Sequence, residues 1–172
     1  MARMPRLEVP GLVHWVGLRG NNGQAVFVCE QDYRDALDFA RQAQQLFPVE
    51  VLGFCLLPTA MHWLLRPQQE AALSHWVQQF ARRFVRSINA RHGRSGTLFE
   101  GRFRSGILQA STHLLPCMWA LDSEPLRLGL VAQAQDWAYG SAAWYVGSPV
   151  AHDGLQGAQL GSLLTSPPEL WA

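Results

Sequence analysis

The chain has 172 residues, of which 48% are hydrophobic and 16% charged, and its formal net charge is +1. These values are typical of one ordinary globular domain, and they exclude a disordered chain or one whose overall charge attracts nucleic acid. The three cysteines, Cys29, Cys55 and Cys117, are far apart in sequence. Their spacing predicts neither a zinc site nor a disulfide framework.

Membrane and export signals are missing from the pattern of apolar residues. The opening MARMPRLEVPG lacks the apolar core of a signal peptide, and no stretch approaches the ~18 apolar residues of a membrane helix. We therefore expect a cytoplasmic location and no membrane partner.

The spacing of apolar residues predicts seven elements. In chain order they are a strand at 12–20, a helix at 31–47, strands at 49–57 and 60–66, a helix at 70–91, a strand at 102–109 and a helix at 111–124. The first six follow the β-α-β-β-α-β order. We therefore predict an α+β fold with a ferredoxin-like antiparallel sheet, two helices on one face and an additional C-terminal helix.

The last predicted helix carries a conflict. Ser111 is a plausible N-cap, but Pro116 follows it, and a proline inside a helix costs about 3 kcal/mol. A turn, EPLRLGLV, and an aromatic segment, DWAYGSAAWYVG, then close the predicted domain at residues 1–147. Residues 148–172 are rich in glycine, serine, proline and alanine and predict a weakly structured tail.

Half of the fourteen basic residues lie between positions 82 and 104, where Glu100 is the one acid. Such a cluster can contact several phosphate oxygens at once, and Phe99 and Phe103 could stack on unpaired bases. The simpler interpretation is a solvated helix face and a hairpin, with both phenylalanines in the core. The clustered residues are Arg82, Arg83, Arg86, Arg91, Arg94, Arg102 and Arg104.

The segment GRSGTLFEGRFRS, residues 93–105, resembles the signature of the REP-associated tyrosine transposases, which are single-tyrosine enzymes of the HUH class. Four further segments resemble the same family in the same order. They are residues 4–27, 31–40, 124–131 and 136–147. The resemblance extends over residues 4–147 and implies an HUH-type transposase domain that recognises hairpin-forming DNA and cuts one strand.

The family's chemistry implies a histidine pair that holds a divalent metal, and a tyrosine that attacks phosphorus. The histidines lie one residue apart on a strand and so share a face. In Leu57-Pro58-Thr59-Ala60-Met61-His62, however, the first histidine is replaced by Ala60. The tyrosine position is Ala120. A methyl group can neither bind a metal nor attack phosphorus, and Pro116 disturbs the helix that would present the tyrosine.

The leading hypothesis is thus a DNA-binding protein of this family that recognises single-stranded or hairpin DNA and has lost strand cleavage and transposition. The predicted nucleic-acid-binding residues are Arg19, Arg82, Arg83, Arg86, Arg94, Arg102 and Arg104. In a bacterial cell such a protein would be associated with the nucleoid, and a homodimer is one assembly open to it.

No cofactor is expected, unless His62 and Glu124 keep a residual site for Mg²⁺ or Mn²⁺. We otherwise expect His62 to be held by a hydrogen bond or by Glu124. Two alternatives stay open. One is an active single-strand nuclease that uses Tyr139, Tyr145, Ser87 or water as the nucleophile, and the other is a domesticated fold that serves as a protein-interaction module.

Overall fold

The computed structural model describes residues 7–145, so the predicted tail lies outside the described residues. The helices and strands follow the predicted order, with ends shifted by a few residues. They are β1 (Val13–Arg19), α1 (Glu30–Leu46), β2 (Val49–Leu57), β3 (Ala60–Pro67), α2 (Ala72–Arg91), β4 (Arg104–Leu108), α3 (Ala110–Arg127) and α4 (Ala142–Tyr145). Single 3₁₀ turns lie at Asn21–Gly23 and Ala134–Asp136.

The four strands form one sheet in the order β2-β3-β1-β4. Each neighbouring pair is antiparallel. Helix α1 connects β1 to β2, and α2 connects β3 to β4. The two strands of each pair run in the same direction, so the chain must cross over outside the sheet to join them. The predicted α+β fold with a ferredoxin-like sheet is confirmed.

Alternation along the strands divides the interior into two cores. On β3, Met61 and Trp63 pack towards α1 and α2, whereas Leu64 packs towards α3. The larger core lies under α1 and α2 and contains the buried rings of Trp76 and Phe80. His62 shares the side of β3 that faces α3, so the sheet's α3 face is where a site around His62 must lie.

The N-terminus of α2 is capped from a distant segment. The carboxylate of Glu8 accepts hydrogen bonds from the backbone N–H groups of Leu73 (2.7 Å) and Ser74 (3.2 Å), and from the Ser74 hydroxyl. These donors have no partner within the helix, and a carboxylate there also complements the helix dipole. Glu8 therefore fixes the segment before β1 on the start of α2.

Helix α3 corrects the predicted start of the last helix. The N-cap is Gln109 and makes no side-chain cap, so Ser111 is not the cap. The helix continues through Pro116, because Leu114, Met118 and Leu121 bury one side of it against the sheet. Packing of an apolar face contributes more to helix stability than local propensity does. The first half of the predicted EPLRLGLV turn is likewise the last turn of α3.

The aromatic segment closes the domain over β2, as predicted. The indole N–H of Trp137 donates to the Leu56 carbonyl (3.0 Å), and the Leu56 N–H donates to the Tyr139 carbonyl (2.8 Å). The Ser141 hydroxyl accepts from the Phe54 N–H (3.0 Å). These bonds satisfy backbone groups of β2 that would otherwise be unpaired at the edge of the sheet.

Among residues 7–145, no helix combines the length and the apolar character needed to cross a membrane.

Candidate nucleic-acid interface

A cleft of about 540 Å³ opens on the α3 face of the sheet, and we call it the arginine cleft. Its polar lining comes from β1, β3, β4, the loop before β4, and the end of α3. The residues that carry its chemistry are Trp15, Arg19, Ala60, His62, Glu100, Arg102, Arg104, Glu124 and Arg127. The cleft therefore gathers three of the arginines predicted to bind nucleic acid around the predicted histidine-pair positions.

Strand register places these side chains together. Gly17 on β1 is the partner of His62 on β3 and of Arg104 on β4, and Arg19 is the partner of Ala60. Residues two apart on a strand point to the same face. One face at one end of the sheet therefore presents Arg19, Ala60, His62 and Arg104 side by side.

Arg102 lies outside the strands, and the loop that carries it is tied to the end of β1. The Glu100 N–H donates to the Arg19 carbonyl (2.9 Å), and the Asn21 N–H donates to the Leu98 carbonyl (2.9 Å). Gly101 in this loop has φ +71°, a conformation that favours glycine. The loop thereby brings Arg102 beside Arg19 although the two are far apart in sequence.

The charge of the cleft is positive although the protein as a whole is nearly neutral. Of its two carboxylates, Glu124 is paired with Arg127 at 2.6 Å. Within residues 7–145, the guanidinium groups of Arg19, Arg102 and Arg104 form no salt bridge and no hydrogen bond to protein, and all three residues are exposed. Exposed, unpaired guanidinium groups are suited to bind phosphate oxygens.

His62 is held by an aromatic contact. Its ring stacks on that of Trp15, with centroids 5.6 Å apart and planes inclined by 23°. The buried Nδ1 has no hydrogen-bond partner among the described residues. The expected retaining hydrogen bond is thus missing at that nitrogen. Burial lowers the pKa of His62, and the negative charge of Glu124 opposes the shift, so the imidazole is neutral at pH 7.

Gly17 makes the stacking possible. A Cβ at this position would lie 2.6 Å from a ring carbon of Trp15, so no other residue fits under the indole without a shift. The tryptophan side chain leans along β1 over Gly17 and reaches His62 on the neighbouring strand. A residual metal site at His62 and Glu124 would have to compete with this ring and with the Glu124–Arg127 pair.

The two alanine positions differ in placement. Ala60 lines the arginine cleft and is partly buried. Ala120 is exposed on α3, one helical turn before Glu124, and does not line the cleft. Position 120 lies within α3, so the helix continues past Pro116, which was expected to disturb it.

The arginines of α2 do not join the cleft. Arg82 and Arg86 are exposed on the helix surface, and Arg83 donates to the side-chain carbonyl of Gln42 on α1. Because α2 covers the face of the sheet opposite α3, these three residues form a second basic surface. The sequence cluster therefore does not form one continuous patch.

Arg91 and Arg94, at the end of α2 and after it, make structural contacts. Arg91 forms salt bridges with Asp32 (2.6 Å) and Asp35 (2.5 Å) of α1. Arg94 donates a hydrogen bond to the side-chain oxygen of Gln24, so less of the Arg94 guanidinium group is available to bind phosphate. Arg94 thus stays a weaker candidate than the arginines of the cleft.

Cys29, Asp32 and His92 bring possible metal-ligand atoms within 4.8 Å of one another, away from the cleft. Asp32 is buried and accepts bonds from Arg91 and from His92 Nε2 (2.9 Å). Burial acts to raise the pKa of Asp32, but hydrogen bonds from the Val28 N–H, His92 and Arg91 outweigh it, and the pKa falls to about 2. Arg91 already supplies the positive charge that a metal would bring, so the cluster acts as a brace between α1 and α2.

Phe99 and Phe103 are not stacking surfaces. Each is only 8% exposed and belongs to the core beneath α2, where Phe99 lies against Phe84. The simpler interpretation of these two residues is therefore the right one, because the loop before β4 places both rings in the core. The aromatic group that lines the cleft is instead Trp15, which is partly buried and packs against the core beneath α3.

The substitute nucleophiles also lie elsewhere. Tyr145 donates its hydroxyl to the Leu52 carbonyl, and Tyr139 stacks on Tyr33 at 4.0 Å. The Ser87 hydroxyl donates to Asp35 at 2.7 Å, which makes it part of the packing between α1 and α2. None of these three residues lines the arginine cleft.

Sequence reasoning missed three residues of the cleft: Trp15, Gly17 and Arg127. The alternation of side chains along β1 could have identified Trp15 and Gly17, because positions 15, 17 and 19 of a strand share a face. Arg127 follows Glu124 by three residues, the spacing of neighbouring side chains on a helix. The signal was lost because the segment around Arg127 was interpreted as a turn.

The protein was compared with known families and structures. Neither the scan against protein-family models nor the search of curated proteins gave a match. Among solved structures, the chain is similar to a REP-associated tyrosine transposase bound to a REP hairpin, with a TM-score of 0.72, 15% identity, and coverage of 92% of this chain and 93% of that chain. A candidate transposase from Deinococcus radiodurans aligns with a TM-score of 0.46 and 18% identity over 69% of this chain and 94% of that chain.

The first of these likenesses establishes the fold. The chain has the fold of a REP-associated tyrosine transposase, so the resemblance predicted from the motifs is confirmed at the level of architecture.

Proposed function

We propose that the protein belongs to the REP-associated tyrosine transposase family and binds single-stranded or hairpin DNA through the arginine cleft, without cutting the strand. The observation that carries the proposal is the convergence of Arg19, Arg102 and Arg104, unpaired and exposed, on one end of the sheet. The solved structure with the same fold holds a REP hairpin, which supports DNA as the partner.

The same cleft supports the loss of cleavage. Its histidine-pair positions are Ala60 and His62, and the remaining imidazole is stacked on Trp15 with a lowered pKa. Position 120 is alanine, so α3 offers no nucleophile at the place that the family motif implies. Phosphate binding needs only the arginines, whereas strand cleavage needs groups that this chain lacks.

The test is a panel of labelled hairpins with single-stranded ends, incubated with the full chain at ~50 mM salt, where phosphate contacts are strongest. Each sample is run on a native and on a denaturing gel, with and without Mn²⁺. We expect a retarded complex on the native gel, and neither shortened DNA nor a covalent adduct on the denaturing gel. An adduct would establish the active-nuclease alternative, and the absence of any complex would favour the interaction module.

Binding at the nucleoid of a bacterial cytoplasm and assembly as a homodimer stay predictions that follow from this proposal.

A further inference from the structure

The arginine cleft is lined by one aromatic side chain, Trp15, that has no role in phosphate binding. Trp15 is partly buried, and one face of its indole is covered by the ring of His62 on β3. Strand β1 lies between β3 and β4, so β4 borders the side of Trp15 away from His62. What lies on that side decides whether the ring is a core residue or a binding surface.

On that side, β4 places no side chain directly opposite Trp15. Its partner on β4 is Gly106, and a Cβ built there would meet no atom within 4 Å. Arg104, two residues earlier on the same face of β4, lines the cleft and is exposed. The space over Gly106 is therefore open, and its borders on this face of the sheet are Trp15 on β1, the Gly106 backbone and Arg104 on β4.

A planar group that carries a neighbouring phosphate fits these three borders. An aromatic face attracts the face of an unpaired base, a glycine lets the base approach the backbone, and a guanidinium can stack on the base or bind its phosphate. Within a duplex, paired bases are stacked on both sides and present only their edges, so an unpaired base is the occupant that we infer.

We propose that Trp15 is a stacking platform for one unpaired base, with Gly106 as the floor of its subsite and Arg104 at its side. The inference rests on the proposed DNA binding and adds to it a specific position on the DNA. It also gives a use to the Trp15–His62 contact, because the buried imidazole supports the indole from behind in the orientation that a base needs.

The experiment uses the hairpin that the full chain binds most tightly, with each unpaired nucleotide replaced in turn by an abasic site. Affinity is measured by fluorescence anisotropy for the wild type, Gly106→Val, Trp15→Leu and the control Trp119→Leu. Gly106→Val fills the open space without a clash and suits a strand, so it keeps the fold. Trp119 is exposed on α3 and does not line the cleft.

In the wild type we expect one abasic position to weaken binding about tenfold or more, the usual effect of losing one stacked base. Gly106→Val and Trp15→Leu should bind the intact hairpin about tenfold or more weakly than the wild type does. Their affinity should not change further when that nucleotide is made abasic. Trp119→Leu should keep the wild-type profile. If hairpins bind but Gly106→Val keeps the wild-type profile, the stacking subsite is refuted and DNA binding stands. If no hairpin binds the wild type, both proposals fail.

Discussion

Arg19 and Ala60 are direct partners across the β1–β3 pair, at the end of the sheet that lines the arginine cleft. The position of the missing histidine therefore lies opposite a guanidinium group. The alanine at position 60 leaves the exposed Arg19 side chain available to bind phosphate oxygens. The same pair decides what would happen if the histidine were restored.

Ala60→His should restore metal binding in part. The new imidazole would share a face with His62, two residues away, and two ligands on one strand chelate a divalent ion where one does not. We expect Mn²⁺ to bind at least about tenfold more tightly than to the wild type, as measured by titration calorimetry. Ala60→Gln is the control for side-chain size. Equal heats from the wild type and Ala60→His would show that the Trp15–His62 stacking or Arg19 prevents a metal from binding.

The second basic surface should act differently from the cleft. Arg82 and Arg86 are exposed on α2, on the side of the sheet away from α3. We expect Arg82→Ala/Arg86→Ala to weaken hairpin binding by less than threefold at ~150 mM salt, because long-range attraction between exposed charges is screened there. Anisotropy titration measures this. A loss as large as that from the cleft arginines would mean that the DNA extends over α2 as well.

Asp32 should be the most sensitive charge in the fold. It is buried and holds both Arg91 and His92, so Asp32→Asn removes the carboxylate that binds His92 and leaves Arg91 with Asp35 alone. We expect the free energy of unfolding in urea to fall by about 2–3 kcal/mol at pH 7. The pKa of Asp32, about 2, is below its ordinary value. The stabilisation is therefore present above pH 4 and is lost as the pH falls towards 2.

Asp35→Asn is the matched control, because this neighbouring carboxylate also binds Arg91 but is less buried. If both variants lost the same small amount of stability, Asp32 would not be the brace between α1 and α2.

Asp122 should make the fold less stable at alkaline pH. Burial raises its pKa to about 7, and its one hydrogen bond, from the Ser141 hydroxyl, is long at 3.4 Å. The folded state therefore binds the proton more tightly than the unfolded state, whose pKa is near 3.8. Stability contributed by this group is full below about pH 4 and is lost as the pH rises to about 7.

Asp122→Asn should remove this dependence. We expect the variant to gain about 1–3 kcal/mol over the wild type in urea unfolding at pH 8, and little at pH 4. A gain that is the same at both pH values would assign the effect to packing and not to the charge.

Periodicity predicted the elements of this fold well, because α1, α2 and the strands carry their apolar residues at regular spacing. The helix predicted at 111–124 is also present as α3, but its cap and its end differ, because Pro116 and Pro125 argue locally against a helix that the buried face of Leu114 and Met118 stabilises. Tertiary packing decides such cases, and local sequence does not record it.

The candidate site was predictable only in part. Motif resemblance found His62, Ala60 and the arginines, but neighbours in sequence do not reveal which arginines are already engaged. Arg91 is bound by Asp32, which is far away along the chain, whereas Arg102 is unpaired. Only the folded structure distinguishes the paired arginine from the unpaired one, because long-range ion pairs depend on how α1 and α2 pack.

The central claim is that the arginine cleft binds DNA phosphates. Its most direct test is the salt dependence of hairpin affinity for the wild type, Arg102→Ala/Arg104→Ala and the control Arg34→Ala, whose guanidinium is paired with Glu30 on α1. We predict that the double variant binds about tenfold or more weakly at ~50 mM salt and that its log–log slope is shallower by about 1.5, as expected when two phosphate contacts are lost. Arg34→Ala should match the wild type. An unchanged affinity and slope in the double variant would contradict the claim.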